Sequence, residues 1–153
     1  MLKLVQIGMD EAETVWQMQK SAFAELYERY HDTETNPACE PLEKTEQRLG
    51  MPETHFYYIV SEDEKVGAIR VYDANDGTPK RISPLFIAPA HRKMGYASDA
   101  IREAEKIHGA DNWELMTILE EAGNCHLYEK MGYHQTGFVI VINDKMTLVQ
   151  YKK

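Results

Sequence analysis

The stretch PLFIAPAHRKMGYA, residues 84–97, runs from an apolar segment into two cations, a glycine and an alanine. From about Gly95 to His108 the apolar spacing becomes that of an amphipathic helix. A helix start exposes unpaired N–H groups and carries about half a positive charge. A strand that enters such a start through a glycine turn makes a site for an anion such as phosphate. Gly95 lets the backbone approach closely, Ala97 keeps the first turn uncrowded, and Arg92 and Lys93 add positive charge. Taken alone, the same residues also suit a solvated loop with an ordinary turn glycine. Asp99 favours the helix dipole but repels phosphate, so it is expected to point outward.

A second group of polar residues lies further on, at Glu120, Glu121, Asn124 and Tyr128. Positions 121, 124 and 128 share one helical face. Taken alone, Tyr128 suits a packing aromatic on that helix, and Glu121 is expected to cap the helix start. Cys125 and His126 are neighbours on the helix and point apart, so they do not form a nucleophile pair. The six histidines show no HxxxH or H-x-H arrangement, and no metal site is expected.

The elements that must position these groups follow from periodicity. Leu2 to Ile7 alternate as a first strand, and 10–30 form a helix with Val15, Met18, Ala22, Phe23 and Leu26 on its apolar stripe. Residues 31–41 carry two prolines and read as a loop, and 42–50 as a short helix ended by Gly50. Strands are expected at 55–61, 65–73 and 81–88, the last interrupted by Pro84, which marks a bulge or an edge. After the helix from Gly95 come a strand at 113–119, a helix at 121–131 and a closing hairpin of 134–143 with 146–152. The order is β-α-α-β-β-β-α-β-α-β-β, a mixed α/β sheet in a single domain over 1–153.

A chain of 153 residues buries roughly 68–70% of its unfolded surface and needs no disulfide or metal to hold a core. Lys and Arg number 17 against 25 Asp and Glu, a net charge of −8. That balance argues against nucleic acid or an anionic membrane as partner, and it hints at a cationic small molecule. Cys39 and Cys125 suit two ordinary thiols in a reducing compartment. The start MLKLVQIGMDEAE turns acidic too early for a signal peptide, and the apolar run FVIVI is too short to span a bilayer. A cytoplasmic location is expected.

PAHRKMGYA matches P-x-x-(Q/R)-x-x-G-x-(G/A), with Pro89, Arg92, Gly95 and Ala97 on the pattern. LYEKMGY, Leu127 to Tyr133, matches a second motif of the same order of elements. On these two motifs the chain resembles the GNAT N-acetyltransferase superfamily over essentially its whole length. The resemblance implies the GNAT fold and acetyl-CoA as co-substrate, with transfer of the acetyl group directly to a primary amine of a small molecule. It implies that the amides of Arg92, Lys93, Met94, Gly95, Tyr96 and Ala97 bind the pyrophosphate, and that Phe86 and Ile87 pair with the pantetheine arm. Tyr128 resembles the family's general acid, a phenol that protonates the departing thiolate at a cost of about 2 kcal/mol.

The sequence departs from the family pattern in two places. Glu121 stands where relatives carry an asparagine, and Asn124, one turn on, could still reach the pantetheine amides. Ser83 and Pro84 stand where many relatives place a carboxylate base. An amine near pKa 10.4 costs roughly 4–5 kcal/mol to deprotonate at pH 7, so a base is wanted. Glu120 is the best candidate, ahead of Glu40 and His31, and each also suits an ordinary surface position. Tyr27 or Tyr30 could line the acceptor pocket, and the superfamily often dimerises through its C-terminal strands. A non-catalytic acyl-CoA sensor on the same fold is the alternative, and a longer acyl donor is a third reading.

Overall fold

In the computed structural model, which describes residues 1–153, the observed order of elements is the expected one. It runs β1 (Leu2–Gln6), α1 (Ala12–Tyr30), α2 (Leu42–Leu49), β2 (Thr54–Ser61), β3 (Glu64–Tyr72) and β4 (Lys80–Ile87). Then follow α3 (Tyr96–His108), β5 (Trp113–Ile118), α4 (Ala122–Lys130), β6 (His134–Asn143) and β7 (Met146–Lys152). The strands make one seven-stranded sheet in the order β1-β2-β3-β4-β5-β7-β6. Apolar clusters lie on both of its faces. One joins Ile59, Ile69 and Val71 to Ala100, Ile101 and Ala104 of α3, and the other joins Phe56, Tyr58 and Phe86 to Val15 and Ala22 of α1. No helix is long and apolar enough to cross a membrane.

All neighbouring strands are antiparallel except β4 and β5. These two are parallel and joined only at Lys80–Trp113 and Arg81–Glu114. Just beyond, β4 breaks its register with β3, around the cis Ser83–Pro84 peptide. Proline removes a ladder donor there, so the strand bulges as its sequence requires. From that point β4 pairs on the β3 side alone, and β5 on the β7 side alone.

The β3–β4 ladder is unusually close at one rung. A Cβ on Gly67 would lie 2.1 Å from Phe86 O, so no larger residue fits without moving β4.

The stripe of α1 is less apolar than its spacing predicts. Its fully buried positions are Ala12, Val15, Gln19, Ala22 and Tyr30. Gln19 is tolerated because the 31–41 loop folds back onto it, where Nε2 donates to Pro37 O and to Glu40 Oε1, both at 2.9 Å. Trp16 Nε1 donates to Glu40 O at 2.8 Å, and Arg48 of α2 grips the same carboxylate at 2.8 and 3.1 Å. Glu40 therefore ties the loop to both helices. Of the lesser candidates for a base, it is occupied, and His31 caps α1 in a left-handed conformation against the Tyr27 ring.

Candidate active site

A cavity of about 680 Å³ opens where β4 and β5 part. Its walls are β4, the turn into α3, the end of β5, the first turns of α4, and α1 with part of the loop after it.

The turn into α3 is built for close approach. Gly95 caps the helix at φ 80°, in the left-handed region. The first helical amide with an acceptor is that of Asp99, which donates to Gly95 O at 3.2 Å. The amides of Tyr96, Ala97 and Ser98 precede it and have no intrahelical acceptor. Asp99 itself pairs with Arg102 at 2.9 Å and does not line the cavity. Of the loop residues expected to bind an anion, Arg92, Lys93, Gly95, Tyr96 and Ala97 line the cavity, whereas Met94 is 61% exposed and does not.

The two cations do different work. Arg92 bridges back to α1: Nη1 donates to Glu25 Oε2 at 3.1 Å and Nη2 to Ala22 O at 2.5 Å. Its Nε donates to Ile87 O at 3.2 Å, which clamps the end of β4 to the same helix. Arg92 thus positions the loop, and Lys93 is the loop cation without a carboxylate partner.

Backbone alternation assigns the edge of β4. Ala88 N donates to Val66 O, so the groups of Phe86 face β3 and those of Leu85 and Ile87 face the opening. Phe86 contributes a buried ring, 5.8 Å from Phe23 and edge-on to it. Of the expected pair, Ile87 presents its amide to the cavity, its carbonyl being held by Arg92, and Phe86 presents neither main-chain group.

Tyr128 is buried on α4 and faces the cavity, with its ring 6.0 Å from Tyr133 and 6.1 Å from Tyr151. Its hydroxyl has no hydrogen-bond partner in the chain, yet it is not sealed from the cavity. Burial pushes its pKa up to about 12, with a smaller contribution from Cys125. Asn124 lies on the same wall, one turn earlier.

The carboxylates at the end of β5 separate. Glu120 is exposed, accepts from Thr147 N at 2.8 Å and does not line the cavity. Glu121 does line it, and its side chain does not cap α4. It accepts from Arg29 Nη1 and from Tyr30 Oη, both at 2.5 Å, and so joins α4 to the end of α1 across the opening. Burial opposes its charge, but the two hydrogen bonds outweigh burial and hold the carboxyl below its ordinary range. The same contact, with burial as the larger cause, raises Tyr30. Local sequence carries no sign of this tie, because its partners stand 91 and 92 residues apart.

A model of the acetyltransferase (GNAT) family matches residues 13–133. The chain belongs to that family. No curated protein sequence matches the chain. Among solved structures, this GNAT chain is similar to spermidine N-acetyltransferase from Vibrio cholerae in complex with CoA and spermine. That match has a TM-score of 0.72 at 15% identity and covers 98% of this chain and 93% of the other. The microcin C7 self-immunity acetyltransferase MccE, in complex with acetyl-CoA and AMP, matches with a TM-score of 0.74 at 11% identity, over 99% and 91%. PaiA N-acetyltransferase from Thermoplasma acidophilum, in complex with coenzyme A, gives 0.66 at 14% identity, over 100% and 99%. At these identities the likeness is one of fold.

Proposed function

We propose that the protein transfers the acetyl group of acetyl-CoA to a primary amine of a small molecule, by direct attack. One observation carries this reading: a single cavity joins the free amides at the start of α3 to the unbonded hydroxyl of Tyr128. A diphosphate fits the amides of Tyr96, Ala97 and Ser98 beside Lys93, where no side chain crowds Gly95. An amide-bearing chain fits along the open edge of β4 at Leu85 and Ile87, opposite Asn124.

The thioester then lies between the β4 bulge and Tyr128. The amine nitrogen bonds to the acetyl carbon, the carbon–sulfur bond breaks, and Tyr128 protonates the departing sulfur. Glu121 holds Arg29 and Tyr30 in place on the acceptor side. It is a poor base, because those same hydrogen bonds stabilise its charge. Glu25 pairs with Arg29 at 3.3 Å and with Arg92 at 3.1 Å. We therefore assign the amine's proton to water at the cavity mouth rather than to Glu120.

Release of CoA thiol from acetyl-CoA in the presence of pooled amines tests the reading, and thiol above an amine-free blank is expected in at least one pool. Gly95→Ala forces a Cβ into the left-handed region, a strain of about 1–2 kcal/mol. It is expected to raise KM for acetyl-CoA roughly tenfold with little change in kcat. Silence in every pool would leave a sensor on this fold.

We place the protein in the cytoplasm as a homodimer. Support comes from two unpaired thiols and from β6, the outermost strand, whose residues 134–141 are all exposed. Phe138, Val139, Ile140 and Val141 are among them, an apolar edge that a second copy would cover. Sedimentation equilibrium should give twice the chain mass for the wild type and one chain mass for Val141→Lys.

A further inference from the structure

A second cavity, of about 390 Å³, opens between α2 and the adjoining parts of β3 and β4. Lys44, Arg48, Arg70 and Arg81 line it, and no carboxylate does. In a chain of net charge −8 this is a local reversal of sign. Three of these cations have some compensation nearby. Glu40 holds Arg48 at 2.8 Å and Lys44 at 3.6 Å, and Glu114 stands 3.9 Å from Arg81.

Arg70 has none. Its Nε donates to Ser83 O at 2.5 Å and its Nη1 to Thr54 Oγ1 at 3.3 Å, both neutral acceptors, and Nη2 has no partner. Burial first, and then the charges of Arg48 and Arg81, push its pKa down to about 10, with Glu40 acting in the other direction. A half-buried guanidinium among like charges is destabilised until an anion joins it. Its planar fork matches a carboxylate or phosphate. Ser83 completes the geometry, because it lines both this cavity and the one that Tyr128 faces. An anion at Arg70 is therefore held next to the break in β4.

We propose that the acceptor is an amine that also carries a carboxylate or phosphate group, received by Arg70, Arg81, Arg48 and Lys44 while the amine reaches past Ser83 toward Tyr128. This rests on the acetyltransferase reading above. It also reverses the hint of the overall charge: the cavity beside the acceptor side is basic, although the chain is acidic.

Two measurements test it. With saturating CoA present to fill the anion site at the start of α3, inorganic phosphate, compared with chloride at equal ionic strength, should raise the Tm of the wild type. Arg70→Gln and Arg81→Gln should each weaken that response about tenfold or more in phosphate concentration, as the loss of a charged hydrogen bond implies. Arg81 is exposed, so its variant stays informative even where Arg70→Gln folds poorly. No response in the wild type, or the same response in a folded Arg81→Gln, overturns the site.

Turnover is then compared between amino acids or aminophosphonates and their uncharged amides or esters. The anionic amines should be preferred, and Arg81→Gln should raise their KM about tenfold while KM for acetyl-CoA stays unchanged. Equal turnover of the uncharged set, with phosphate binding intact, overturns the acceptor assignment and makes the site one for a separate anion. No turnover of either set overturns the acceptor assignment, and when the amine pools above are silent as well it overturns the transferase reading itself.

Discussion

Tyr128→Phe is expected to lower kcat about a hundredfold or more, with fold and KM for acetyl-CoA staying close to those of the parent. The substitution deletes one hydroxyl that bonds to nothing in the chain and leaves the ring packed against Tyr133 and Tyr151. Only an interaction made during the reaction is lost, and such a loss appears in kcat. An ordinary phenol would give its proton to a thiolate at a cost of about 2 kcal/mol. With Tyr128 pushed up to about 12 by burial, the gap to a thiol near 8.5 is about 3.5 units, or roughly 5 kcal/mol for a fully formed thiolate. In the proposed reaction the proton would therefore move late, as charge builds on sulfur. The sign for pH follows. A raised pKa keeps the acid form populated, so kcat should show no alkaline fall assignable to Tyr128 up to about pH 10.5. A descending limb near pH 9 in the wild type, absent from Tyr128→Phe, would contradict a buried phenol.

Gly67→Ala is expected to cost about 2–3 kcal/mol of stability and to weaken acetyl-CoA binding in the protein that remains folded. The added methyl would stand 2.1 Å from Phe86 O and 3.0 Å from Ile87 Cα, both backbone atoms, so β4 must move as a whole. It moves at the residues whose other edge faces the cavity. Urea unfolding and a binding isotherm measure the two effects. Gly123→Ala is the control: no atom lies within 4 Å of its Cβ, and it sits in α4, where alanine gains up to about 1 kcal/mol. Equal stability of the two variants would show that β3 and β4 are not as close as described.

Periodicity made the order of elements readable, and two local signals made part of the site readable as well. Gly95 announced a helix start with a left-handed residue, and Pro84 announced a strand that could not continue its ladder. Residues whose role depends on distant partners were not readable. Arg92 looked like a mobile cation for a phosphate, and it turns out to reach Glu25 and Ala22 on α1, 67 and 70 residues away. Glu120 and Glu121 are indistinguishable in type, and a single step of the chain decides which enters the cavity. The basic cavity is invisible in composition, because its cations come from α2, β3 and β4 and are outnumbered over the whole chain.

The parting of β4 from β5 leaves two lengths of strand inside the sheet bonded on one side only. Rungs that would ordinarily hold two halves of a sheet together are missing here, and only two pairs span the seam. The sheet is accordingly weakest along that line, and a chain-like co-substrate bound along the β4 edge, as proposed above, would stand in for the absent rungs. In that role it would be a temporary strand of the sheet as well as a reactant.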